Sequence, residues 1–304
     1  MPNARLKNYF HLHFIVFIWG FTAILGELIS IDAIPLVWYR MLLASVFIWG
    51  YIKIRKIGLQ VSKKLLLAFL VAGIVIALHW ITFFAAIKVS NVSITLAVLS
   101  TGAFFTSILE PIFYKRKLIW YEVLFGLMVI GGLYLIFNVE KNYFLGIVLA
   151  LTSAFLSSVF SLINGKLVQG YAPSVISFYE LISGVAVVTL YLIVMTCIGD
   201  GAEGFSWSFF QLSTSDWVFL MILASVCTAY ALIGSVQVMK YLSPYTVMLT
   251  INMEPVYGIL LAFLIFGDSE KMSSQFYYGA LIILGTVVLN GVFKNIKKRK
   301  RMPT

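Results

Sequence analysis

Four ionisable side chains stand inside long apolar runs of this chain. They are Arg40 in "VWYRMLLASV", His79 in "IALHWITFF", Glu180 in "ISFYELISG" and Glu254 in "INMEPVYGIL". In hydrocarbon such a group costs about 2.5–3.5 kcal/mol at a helix centre and by default marks a pathway or an internal pair. Arg40 would attract a carboxylate if it faces a cavity, and Glu180 or Glu254 an amine, a separation of charge that suits a zwitterion. Its alternative is snorkelling or pairing at the helix end. Glu254 is followed by Pro255, which lacks a backbone N–H and frees a carbonyl near Ile251. A neutral Glu254, or Asn252, would satisfy that carbonyl; otherwise Glu254 is a proton or substrate site. Histidine titrates near physiological pH, so His79 joins Glu254 as a proton-coupling candidate, the other reading being a hydrogen bond between helices. One helical turn puts Trp80 with Phe84 and His79 over Phe83.

Further candidates for the cavity wall are Trp19, Trp80, Phe83, Thr101, Ser157, Tyr230 and Asn252. Ser153, Ser157 and Ser161 recur every fourth residue and share a helix face, which either lines a cavity or packs helices closely. Glu110, in "SILEPIFYKRK", stands near its helix end and is expected to snorkel to the interface.

The elements that must position these residues follow from composition. Of 304 residues, 61% are hydrophobic and 11% charged, against about 25% charged in soluble domains. Too few polar residues exist to cover a soluble core, so the solvent is a bilayer. Apolar runs of about 20 residues, enough to cross roughly 30 Å as helix, occur at 11–27, 34–52, 65–87, 91–113, 120–138, 143–163, 173–196, 217–239, 245–266 and 276–293. The expected fold is an all-α polytopic membrane protein with ten transmembrane helices. The basic start and first apolar run read as a retained span rather than a cleaved leader. The segment 199–216, aromatic among Gly and Ser, reads as a membrane-surface connection.

Lys and Arg concentrate on the termini and the even-numbered connections, including Lys53, Arg55, Lys115, Arg116 and Lys117 and the tail "KNIKKRKR". The other side holds Asp32, Asp200, Glu203, Asp216, Asp268 and Glu270. By the positive-inside bias both termini are cytoplasmic. The net charge of +10 then reads as a topology signal beside anionic lipid, with no nucleic-acid partner.

The halves repeat. An offset of 152 aligns "AAIKVSNVSITLAVLSTGAFFTSIL" with "QVMKYLSPYTVMLTINMEPVYGILL" and Lys88 with Lys240. An offset of 140 places Arg40 opposite Glu180, at mirrored depths, so a direct ion pair between them is not expected. Five spans per half is odd, so the copies are inverted, a recurring plan of secondary transporters with the substrate site between the halves. Residues 1–140 are the first five-helix repeat, and 141–304 the second with its basic tail. Glu254-Pro255 then pairs with Gly102-Ala103, so one asymmetric helix break, at Pro255, is expected.

The stretches "EPVYGILLAFLIFGD" and "YYGALIILGTVVL", with first-half counterparts "GAFFTSILEPIFYKRK" and "LFGLMVIGGLYLIF", resemble the EamA family of the drug/metabolite transporter superfamily. The chain departs from the family pattern at Ala103, where a proline is usual, and at Arg116, where an acid is usual. The resemblance implies transport of a small metabolite through a central cavity by alternating access.

The function expected is a secondary transporter, with export the expected direction, of small organic metabolites such as amino acids. The bacterial cytoplasmic (inner) membrane is the expected location, and a homodimer is compatible with the sequence. A channel and a membrane-embedded enzyme are the alternatives. Neither a metal nor a cofactor is expected. His11, His13 and His79 do not cluster as zinc ligands, no GxxxxGK[ST] loop is present, and Cys197 and Cys227 read as buried small apolar residues.

Overall fold

The computed structural model describes residues 2–115, 120–199 and 204–300, and these contain helices, turns and loops but no strand. Arg116, Lys117, Asp200 and Glu203 lie outside the described residues. The first half comprises α1 (Pro2–Leu28), α2 (Ala33–Ile54), α3 (Lys63–Val89), α4 (Val92–Leu99), α5 (Gly102–Tyr114) and α6 (Trp120–Val139). The second comprises α7 (Phe144–Leu167), α8 (Pro173–Ile198), α9 (Thr214–Ala224), a π-turn (Ser225–Tyr230), α10 (Ala231–Val238), α11 (Pro244–Ile251), α12 (Glu254–Phe266) and α13 (Ser274–Lys300). Many of these runs are rich in Val and Ile, middling helix formers in water. Hydrocarbon offers backbone groups no partner, so the chain bonds them within each segment.

Among the described residues, eight helical spans are long and apolar enough to cross a bilayer: Leu6–Leu28, Ala33–Ile54, Leu65–Val89, Val92–Tyr114, Lys141–Leu167, Pro173–Ile198, Thr214–Val238 and Thr246–Glu270. The fifth expected span falls on α6, whose apolar stretch Leu124–Asn138 is shorter. The tenth, 276–293, falls within α13. Leu190, Leu260 and Leu264 are among the large apolar side chains left on the outside, a surface suited to lipid.

The fourth expected span of each half is broken, and the two breaks superpose residue for residue. Adding 152 to the bounds of α4 and α5 gives those of α11 and α12. Ser100 N bonds Leu96 O and Thr101 N bonds Val98 O, matched by Asn252 N to Met248 O and Met253 N to Thr250 O. The caps match too, with Asn91 Oδ1 accepting from Ile94 N and Ser243 Oγ from Thr246 N. This corrects the expectation of a single break at Pro255. The interruption precedes that proline, which sits in the first turn of α12, where its missing N–H loses nothing. The first half breaks without any proline, and there the Gly102 carbonyl accepts from Ser158 Oγ at 2.7 Å and Thr106 Oγ1 at 3.0 Å.

Polar side chains tie the loop ends together. Glu270 receives Val92 N at 3.0 Å and Ser93 N at 2.9 Å, an anion at the positive end of α4. Asp216, in the first turn of α9, receives the backbone N–H and hydroxyl of Ser30, both at 2.7 Å. Of the 199–216 connection, the described part from Gly204 on packs against α2 rather than lying only on lipid: Phe209 stacks on Tyr39 and is buried. Glu110 is also buried, 8% exposed. It does not snorkel, because α5 is covered by α7, to which Tyr114 donates at the Leu162 carbonyl.

Glycines set the closest helix crossings. A Cβ on Gly73 of α3 would meet the Glu180 carbonyl at 2.5 Å and Gly184 N at 2.9 Å. Gly20 of α1 lies against Tyr257 and Gly258 of α12, and Gly132 of α6 against Gly279 of α13. Small residues let membrane helices approach closely enough for dispersion to hold them. Gly73→Val is expected to lower the thermal midpoint in detergent, with a loss on the order of 1–3 kcal/mol from overpacking. Gly50→Ala, with nothing within 4 Å of the added Cβ, should leave the midpoint unchanged or raised.

Candidate functional site

A cavity opens at the level of the two helix breaks, walled by α1, α2, α3, the end of α4, α7, the π-turn, α10, α11 and the start of α12. It contains about 90 Å³ in which a water-sized molecule can be centred, room for several waters. Trp19, Arg40, His79, Trp80, Phe83, Ser157 and Glu254 all line it.

Arg40 dominates the electrostatics. Its side chain is 1% exposed, and Nε donates to Thr228 Oγ1 at 2.7 Å. The guanidinium lies 3.9 Å from the Trp80 ring centroid and 5.4 Å from that of Phe84, so the helical pairing of those rings builds a shelf for the cation. A desolvated cation–π contact contributes about 2 kcal/mol, less than the cost of burying the charge. Among the described residues no carboxylate pairs with it, and Nη1 has no hydrogen-bond partner. Glu254 shares the cavity without touching Arg40, and no hydrogen bond to its carboxyl is seen among the described residues.

The π-turn holds both Arg40 and Trp19. Its wider winding lets Thr228 Oγ1 donate to Leu223 O, five residues back, at 2.7 Å, while the same oxygen accepts from Arg40. The Cys227 carbonyl accepts from Trp19 Nε1 at 3.1 Å. Single π-turns inside helices are frequent at functional sites. On the other wall, His79 Nδ1 lies 3.0 Å from the Ser153 carbonyl and 2.8 Å from Ser153 Oγ. The hydroxyl in turn reaches His79 O at 3.0 Å. A carbonyl can only accept, which assigns the proton to Nδ1 and leaves Nε2 a lone pair. His79 thus lines the cavity and is also bonded between helices.

Other expected residues stand elsewhere. Tyr230 is 44% exposed and bonds His11 Nε2 at 3.0 Å, since the extra residue of the π-turn rotates it off the cavity face. Glu180 is fully buried outside the cavity, accepting from Asn164 Nδ2 at 3.0 Å, because α8 turns this face towards α3 and α7. Thr101 and Asn252 are buried in the two breaks but do not line the cavity. Asn252 Nδ2 has no partner, so it does not satisfy the Ile251 carbonyl. Thr22 and Ser235 line the cavity without having been expected there, as do the apolar Phe160 and Cys227, while Ser157 and Ser161 of the serine face take the first of its two readings. Thr228 was missed as the Arg40 partner; no sequence signal marks a π-turn.

The family model of the EamA-like transporter family matches residues 8–138 and again 144–292. The chain belongs to the EamA-like transporter family. Its two matches divide it between α6 and α7, and the matched helix breaks fall at the same place in each half. A solved crystal structure is similar over 95% of this EamA-like chain and 98% of its own, with a TM-score of 0.68 and 16% identity, which shows a shared fold. No match was found among curated proteins. This EamA-like chain is therefore an all-helical integral membrane protein of a transporter family.

If Thr228 positions Arg40, Thr228→Val leaves Nε buried and unbonded, a loss of about 1–3 kcal/mol. The detergent melting midpoint should fall accordingly, whereas Thr228→Ser, which keeps the hydroxyl, should stay close to wild type.

Proposed function

We propose that the chain is a secondary transporter of small zwitterionic metabolites such as amino acids, working as an exporter in a bacterial cytoplasmic membrane with both termini inside. In this reading its repeats are two inverted sets of five helices. They rock about the central cavity to expose it to each side in turn, and the two broken helices supply the bending points. The observation that carries the reading is the free Nη1 of Arg40 in a cavity whose far wall holds Glu254. A carboxylate on the cation and an ammonium at Glu254 would bridge two groups of opposite charge that line the same cavity without forming an ion pair. Thr22 Oγ1 and Ser161 Oγ, both buried without partners on the same wall surfaces, and the Nε2 of His79 would bind the remaining polar atoms. Trp19, Trp80 and Phe83 favour an apolar side chain beside them.

The test is counterflow in vesicles containing the purified protein, preloaded with one unlabelled amino acid at a time and supplied with its labelled form. Saturable, competable counterflow is expected. Arg40→Gln should weaken the half-saturating concentration about 10- to 100-fold, the size of one lost charged hydrogen bond. Unitary currents in place of counterflow would sink the proposal in favour of a channel.

A further inference from the structure

The pair formed by Glu180 and Asn164 has no part in the substrate cavity, yet it is the most deeply buried carboxyl–amide contact among the described residues. Both side chains are 0% exposed. Asn164 Nδ2 donates to Glu180 Oε1 at 3.0 Å, while Glu180 Oε2 and Asn164 Oδ1 each lack a partner. Two acceptors are thus left without a donor beside one satisfied bond. An ionised carboxylate here would lack any cation. Of the elements packed against α8, α2 carries Arg40, which lies over Trp80, and Lys53, which lies near the Trp49 ring. On α3, His79 is bonded to Ser153 and Lys88 to the Ile29 carbonyl, while Lys63 is exposed at the helix start. On α7, Lys166 reaches the rings of Phe113 and Tyr114, and α10 has no titratable group. On α8 itself, Tyr179 donates to the Leu59 carbonyl.

One proton on Oε2 removes the buried charge and makes that oxygen a donor, which is what the unpartnered Asn164 Oδ1 lacks; an acid and an amide can bond reciprocally in this way. Ser161 stands one turn before Asn164 on α7 and lines the cavity, so water in the cavity comes within one helical turn of the pair. Loss of the proton would leave a bare carboxylate between α3, α7 and α8, against the Gly73–Gly184 crossing. The protonation state is thereby tied to how these helices pack.

We propose that Glu180, held by Asn164, carries an exchangeable proton outside the substrate cavity and supplies the coupling proton of transport. The coupling role rests on the transport reading above; the bound proton does not. Binding and release are simple protonation, Glu180 carboxylate plus one proton giving the acid. Arg40 and Glu254 are then left to the substrate.

Two measurements test it. Infrared spectra of the purified protein at neutral pH, in H₂O and D₂O, should show a protonated-carboxyl stretch that shifts on exchange. That band should vanish in Glu180→Gln, move to higher frequency in Asn164→Ala, and persist in Glu254→Gln. Glu180→Gln is a neutral isostere that can form the same reciprocal pair, so its melting midpoint should stay at or above wild type. In vesicles supplied from outside with the labelled standard amino acids, an imposed pH gradient should drive accumulation by wild type. Glu180→Gln should keep counterflow but accumulate no more than without a gradient. The proposal fails if the band is absent, if it survives Glu180→Gln, if that variant still accumulates, or if only a sodium gradient drives accumulation. Absence of any amino-acid flux in wild type would overturn the transport reading and the coupling role with it, while the infrared arm still decides whether the proton is there.

Discussion

A guanidinium sealed inside an apolar bundle sets the requirements for its surroundings. Arg40 can stay charged at that depth only if its donors and its charge are met locally. The protein meets them in part, with the Thr228 hydroxyl on one nitrogen and the faces of Trp80 and Phe84 beneath the plane. One nitrogen, Nη1, remains without a partner, and Arg40 lines the cavity. Incomplete satisfaction is costly for a structural arginine, but it is what a ligand-binding arginine requires, because a fully paired cation would have nothing left to offer.

The helices around it are irregular where they need to be. A regular α-helix spends its carbonyls largely on itself, and a local change of winding presents the Cys227 carbonyl and the Thr228 hydroxyl to Trp19 and Arg40. The π-turn at Ser225–Tyr230 supplies that change. The breaks at 100–101 and 252–253 do something different. They place short helices end to end at the same depth in both halves, and hydroxyls or loose 3₁₀ bonds satisfy the freed backbone where lipid cannot reach. Close glycine crossings such as Gly73–Gly184 then hold the helices so near that side-chain geometry at the site follows from backbone position.

Two buried carboxyls therefore have distinct environments. Glu254 heads a helix and opens onto the cavity, facing a cation across open space. Glu180 is enclosed by helices, bonded to an amide and remote from any charge. The first environment favours an electrostatic partner from outside; the second favours a neutral acid.

Much of this was legible in the chain. The low charge content required a bilayer, the 152-residue offset located both halves, and the resemblance to EamA-like chains was carried by short aliphatic motifs that the two family matches repeat. Arg40, His79, Trp80 and Glu254 stood out because an ionisable or amphipathic residue within an apolar run is conspicuous in one dimension. Their partners were not conspicuous. Thr228 and Ser153 are ordinary residues whose importance comes from which helix they face, and Tyr230 left the cavity because one extra residue of winding rotates everything after it. The break in the first half carried no proline; hydroxyls from Ser158 of α7 and Thr106 of α5 hold its freed carbonyl. Sequence alone determined the solvent, the repeat and the costly residues, because these depend on composition and spacing. Which of those residues meet across helices was decided only by tertiary packing, because contacts between helices depend on rotation and crossing, and a linear pattern encodes neither.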